Sequence, residues 1–127
     1  MANDARVSEN MAKKFAREKD SPYVRWVGAE GLDIIDEVGR PEIRLIYDIY
    51  HSAVMDEDIG TVLSGRLDRV AHVHLADAPG RHEPGTGTMD WQARLDWLDR
   101  NGYRGMVGLE YKPTRPTPES LAALLRR

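Results

Sequence analysis

Apolar positions along most of the chain fall into a repeating order of short unbroken runs and spaced stripes. Ile43 to Tyr47 is a short apolar run interrupted only by Arg44, Val70 to Ala76 reads VAHVHLA, and Met106 to Leu109 is a third such run. Runs this short, bounded by polar and turn residues, predict buried strands rather than helices. Between the first two, Ile59, Val62, Leu63, Leu67 and Val70 are spaced for one helix face, with the acidic stretch Met55 to Asp58 suited to a helix start. Asp90 is placed to cap a helix with Trp91, Leu95 and Leu98 on one face, closed by Asn101 and Gly102. Thr117, Pro118 and Glu119 open a last helix through SLAALLRR. Upstream, Leu32, Ile34, Ile35 and Val38 form a stripe that stops at Gly39, predicting a helix over 29–38. Val7, Met11 and Phe15, four apart, predict an amphipathic helix over 4–18, broken at Ser21–Pro22 and followed by an extended piece from Tyr23 to Val27.

Strands alternating with helices imply an α/β fold with a parallel sheet and right-handed crossovers. Three βα units are visible from Ile43 onward, with no long linker or low-complexity segment, so 1–127 reads as a single domain. Composition narrows the function classes. There is no cysteine among the 127 residues, which removes disulfides, thiolate zinc sites and cysteine nucleophiles. With 18 basic and 21 acidic side chains the net charge is −3, a poor match to a nucleic-acid surface. No apolar run approaches the length of a membrane span, and the N-terminus lacks the apolar core of a secretory signal, so a cytoplasmic protein without a membrane partner is expected.

Groups capable of chemistry stand at the ends of all three predicted strands: Asp48 and His51, His74 and Asp77, Glu110 and Lys112. In α/β proteins that edge is where sites are built. Asp48, His74 and Glu110 are separated by 26 and 36 positions, about one βα unit each, so neighbouring strands can bring them together. Two carboxylates and an imidazole suit a divalent metal, Mn or Mg before zinc or cobalt. Arg81, flanked by Pro79, Gly80 and Gly85, is the loop candidate for a substrate contact. His72, on the same strand face as His74, reads as a core histidine, His82 as a solvated loop residue, Asp77 as either a turn cap or a site residue, and Trp26, Trp91 and Trp97 as packing.

The strings LIYDIYH (Leu45 to His51), AHVHLADAPGRHEPGTGTMDW (Ala71 to Trp91) and GLEYKP (Gly108 to Pro113) resemble, in order and spacing, the C-terminal part of the hydroxypyruvate isomerase family. That family is a branch of the xylose-isomerase-like TIM barrels that also contains the ketose 3-epimerases. The resemblance implies a metal-assisted isomerase that moves a proton through an enediolate on a small hydroxy-carbonyl compound or ketose. It also implies roles: Asp48, His74 and Glu110 as metal ligands, Glu110 also as the catalytic base, and His51 and Arg81 as residues that hold substrate oxygens. His74 matches the epimerase choice, where hydroxypyruvate isomerases usually carry Gln. Apurinic endonucleases share the superfamily, but their metal clusters are richer in histidine than a chain with four.

A complete barrel of this type needs about 250 residues and eight strands, so the expected architecture is a partial TIM barrel lacking the N-terminal half. Residues 31–127 would supply its C-terminal βα units, and 1–30 a helical segment without family match. No IEP-like strand carrying the family's first Glu ligand precedes Ile34; the nearest candidate is Glu30. Three parallel strands would leave the barrel-interior face open, so a homodimer, the first 30 residues folded over the gap, or a missing N-terminal half of a longer product is expected to cover it. Two readings follow: an isomerase whose catalytic set is incomplete in this chain, or a non-catalytic half-barrel that self-associates as a binding or structural module.

Overall fold

The computed structural model describes residues 28–125; the expected 4–18 helix, the 23–27 extended piece and Trp26 lie outside them. The order is α1 (Gly28–Val38), β1 (Leu45–Asp48), α2 (Ile49–Val54), α3 (Ile59–Leu63), a 3-10 turn (Leu67–Arg69), β2 (Val70–Leu75), α4 (Trp91–Arg100), β3 (Val107–Leu109) and α5 (Thr117–Leu125). The three strands form one parallel sheet in the order β1-β2-β3. β2 is therefore central, and β1 and β3 are edges among the described residues.

Three helices, α2, α3 and α4, begin where an aspartate satisfies otherwise orphaned backbone donors. Asp90 accepts from Ala93 N at 2.9 Å at the start of α4, as its position in the sequence suggests. Asp58 accepts from Thr61 N at 2.8 Å and starts α3. Gly39, just past α1, adopts φ +65°, a conformation that L side chains rarely take.

Two departures from the expected elements have local causes. The stripe from Ile59 to Val70 does not form one helix: α3 stops at Ser64, Gly65 turns to φ +72°, and the chain restarts as a 3-10 turn before Val70 opens β2. The helical spacing of Leu67 and Val70 with the earlier residues is thus fortuitous. The unexpected helix α2 follows β1 directly because Asp48 caps it, accepting from Tyr50 N at 2.9 Å and His51 N at 3.2 Å. Its six residues are too few for a periodic signal.

The core lies on the helix side of the sheet. Leu32, Tyr47, Ile49, Ile59, Val62, Leu63, Val70, Val73, Leu75 and Leu98 pack together, with Trp91 and Trp97 against them, as expected for those two tryptophans. Tyr47 is almost fully buried, its hydroxyl 2.5 Å from Ser52 Oγ, and burial pushes its phenol up to about 12. Alternation along the strands turns the other side chains to the opposite face. That face carries Ile46 and Asp48 from β1, His72 and His74 from β2, and Gly108 followed by Glu110 from β3. It is open: Ile46 is 56% exposed.

Candidate metal centre

The parallel register explains how residues far apart in sequence meet. Asp48 and His74 are direct partners across β1 and β2, and His74 is the partner of Gly108 across β2 and β3. Glu110 follows two residues later on the same face, its amide donating to Leu75 O at 3.1 Å. One donor atom each from Asp48, His74 and Glu110 lies within 4.8 Å of the others, at the C-terminal edge of the sheet. A mixed oxygen and nitrogen set of this kind suits a hard or borderline divalent cation.

Asp48 divides its two oxygens between structure and site. Oδ1 caps α2, which fixes the carboxylate, while Oδ2 faces the cluster and lies 3.7 Å from His51 Nε2. His74 Nδ1 stands 3.4 Å from Glu110 Oε2. Arg81 Nη2 donates to Asp48 Oδ2 at 3.1 Å and also to Glu110 Oε2. The five residues to which the resemblance gives roles, Asp48, His51, His74, Arg81 and Glu110, therefore converge. Glu30 sits exposed in the first turn of α1 and is not part of the cluster. His72 lies beside the site, half-buried, its ring edge-on to His74 with centroids 5.0 Å apart.

The loop after β2 positions Arg81, and its internal bonds settle several local expectations. Asp77 is fully buried and accepts from the backbone N–H groups of Ala78 (2.8 Å), Gly85 (2.6 Å) and Met89 (3.3 Å), so of its two readings the loop-forming one describes its contacts. His82 is not merely solvated: its backbone bridges Asp77, and its Nδ1 lies 2.7 Å from Lys112 O. Lys112 in turn donates its backbone N–H to Arg81 O at 2.7 Å, so its main chain rather than its ammonium does the holding. The sequence reading overlooked two residues here. Tyr50 places its ring 5.3 Å from the Arg81 guanidinium carbon, a cation–π distance. Glu83, 4% exposed, accepts from Thr114 N at 2.9 Å and Thr114 Oγ1 at 3.2 Å, tying the loop to the segment after β3. Neither shows a spacing signal, because both act across long separations in sequence.

Burial opposes ionisation of Glu83, but backbone N–H donors, its own and that of Thr114, outweigh it and hold the carboxyl at about 2, below its usual 4.5. A carboxyl lowered on folding contributes stability in full above its unfolded value and loses it as pH falls toward the folded value. The thermal midpoint of the wild-type chain should therefore fall between pH 4.5 and 2, with Glu83→Gln showing a shallower fall over that window. Melting curves across this range check it; identical acid limbs for the two proteins would contradict it.

Parallel βα units with a carboxylate and imidazole cluster at the C-terminal strand ends define a segment of a barrel-type α/β protein. The xylose isomerase-like TIM barrel family matches residues 8–127, and the chain belongs to that family; the match takes in most of residues 1–30, contrary to the expectation of a segment without family match. It is 35% identical over 103 residues to hydroxypyruvate isomerase of Escherichia coli, a match covering 80% of this chain and 40% of that protein. Among solved structures, a 3-keto-D-glucoside 4-epimerase from E. coli superposes with a TM-score of 0.70 at 28% identity, over 84% of this chain and 42% of the other. An AP endonuclease of family 2 from Brucella melitensis does so with a TM-score of 0.69 at 33% identity, over 76% and 38%. The chain thus spans about two fifths of the length of these proteins, in keeping with a partial barrel. No helix among the described residues is long and apolar enough to cross a membrane.

Proposed function

We propose that the chain carries the C-terminal part of a sugar or hydroxy-carbonyl isomerase site of the hydroxypyruvate isomerase type, acting with a bound divalent metal, Mn or Mg. The convergence of Asp48, His74 and Glu110 donor atoms within 4.8 Å carries this reading. The two carboxylates and the imidazole would hold the ion, and the ion would polarise the substrate's carbonyl oxygen, making the neighbouring C–H acidic. Glu110, half-exposed at the mouth of the cluster, takes the proton from the carbon beside the carbonyl to give an enediolate. His51 and Arg81 are placed to hold substrate oxygens, His51 with its imidazole half-exposed beside Asp48.

In this reading the catalytic set is incomplete among the described residues: Asp48 is committed to the α2 cap and to the ion, and the cluster holds no third carboxylate to return the proton to the adjacent carbon. The reading therefore predicts proton exchange without efficient net isomerisation by the chain alone. Incubation of hydroxypyruvate, with a small panel of ketoses, in deuterated water with and without Mn tests it. Metal-dependent deuterium incorporation supports the reading, and none in a folded, metal-loaded sample opposes it. The endonuclease name of the Brucella protein does not suit this chain's net charge of −3 and four histidines.

One feature favours a second reading. The open sheet face with Ile46 and the two edge strands, together with a cleft of about 280 Å³ beside β1 that runs from Gly28 and Gly31 past Leu45 and Ile46 to Asp48 and His51 of the cluster, resemble a surface that another half-barrel would cover. As a self-associating module the chain would form a dimer indifferent to metal, and a monodisperse monomer in sedimentation would oppose that reading.

A further inference from the structure

Arg81 stands where the charge of a cation is needed. Its Nη2 donates at once to Asp48 Oδ2, at 3.1 Å, and to Glu110 Oε2. These two oxygens belong to the donor set assigned to the metal, and the inference rests on that assignment. An exposed ion pair would mean little. Here the Asp48 and Arg81 side chains are only 15% and 26% exposed. Asp48 is fixed through its other oxygen by the α2 cap. The backbone of Arg81 is clamped by Lys112 N on its carbonyl and sits at φ +59°, unusual for a residue other than glycine. Its guanidinium lies against Tyr50.

We propose that Arg81 is a built-in counter-cation of the metal-free site: it holds the Asp48 and Glu110 carboxylates together, and a divalent ion binds only by displacing Nη2 from them. Two carboxylates that face one another across a sheet repel, and the guanidinium cancels that repulsion while no ion is present. Both cations want the same oxygens, so the affinity of the site for metal is set by a competition inside the chain. Because the main chain of Arg81 is clamped, the exchange is a movement of the side chain and not of the loop.

The test is Mn binding to the wild-type chain and to Arg81→Gln, followed by calorimetry, with thermal unfolding of both in the absence of metal. Removing the competitor should tighten Mn binding about tenfold or more, the scale of a charge-assisted hydrogen bond, while lowering the metal-free melting temperature. Equal or weaker binding by the variant, with the wild type binding normally, overturns the counter-cation role and leaves the metal site standing. Absence of binding in both proteins overturns the two together. Should Arg81→Gln fail to fold, labelling the wild-type chain with phenylglyoxal and mapping the modified peptides decides the matter. Mn should increase modification at Arg81 as its guanidinium leaves the carboxylates, and unchanged or reduced modification overturns the proposal.

Discussion

Glu110→Gln should reduce Mn-dependent deuterium incorporation into hydroxypyruvate by at least about a hundredfold, the lower end of what a positioned base contributes. Glutamine keeps the length and an oxygen able to face His74 and Arg81, but it cannot accept a proton. The loss of exchange should therefore exceed the loss of metal affinity, and measuring both on one preparation separates the base from the ligand. Exchange surviving in the variant at near wild-type rate would move the base elsewhere, with His74, 3.4 Å from the same carboxylate, the next group to examine.

The largest loss of stability is expected from Asp77→Ala. The carboxylate is fully buried and accepts backbone N–H groups from Ala78, Gly85 and Met89; alanine would leave those of Ala78 and Gly85 without partners, while Met89 keeps its bond to Ala78 O. Unsatisfied buried donors cost about 1–3 kcal/mol each, so a total near 3 kcal/mol or more follows, or a fall of about 10 °C or more in melting temperature for a domain of this size. Asp77→Asn, which retains one acceptor oxygen, should lie between. Because the same loop carries Arg81, the alanine variant should also lose the Arg81 bridge to Asp48 and Glu110. A melting temperature within about 2 °C of wild type, a shift typical of substitutions without a buried role, would contradict the assigned part of Asp77.

The sequence made the parallel sheet legible because strands in such sheets are short, apolar and followed by polar residues, and β1, β2 and β3 all obey that pattern; the expected burial fails at β3, an edge strand whose Val107 and Leu109 are exposed. The cluster was legible for the same reason: Asp48 and Glu110 directly follow apolar runs, and His74 is the penultimate residue of β2. The parts that escaped depend on contacts between distant segments. Nothing local distinguishes Glu83 from any solvated loop glutamate until Thr114 is folded against it, and His82 reads as a surface residue until Lys112 arrives beside it. Helix α2 was hidden by economy, since Asp48 serves as both strand end and cap, and a residue read for chemistry was not also read for capping. The long helix expected after Ile59 failed at one residue, Gly65, whose left-handed backbone ends α3 whatever the spacing of the apolar residues beyond it.

The measurement that bears most directly on the account is a titration of the chain with Mn, followed by the electron paramagnetic resonance of the free ion, in wild type and Asp48→Asn. Asparagine keeps an oxygen to cap α2 through Tyr50 N and His51 N, so the fold should persist while the oxygen that faces His74 and Glu110 loses its charge. The account predicts one tightly bound Mn per wild-type chain and none in a folded Asp48→Asn variant. Equal Mn binding by the two proteins would contradict it, because the ion would then be held somewhere other than the Asp48, His74 and Glu110 cluster.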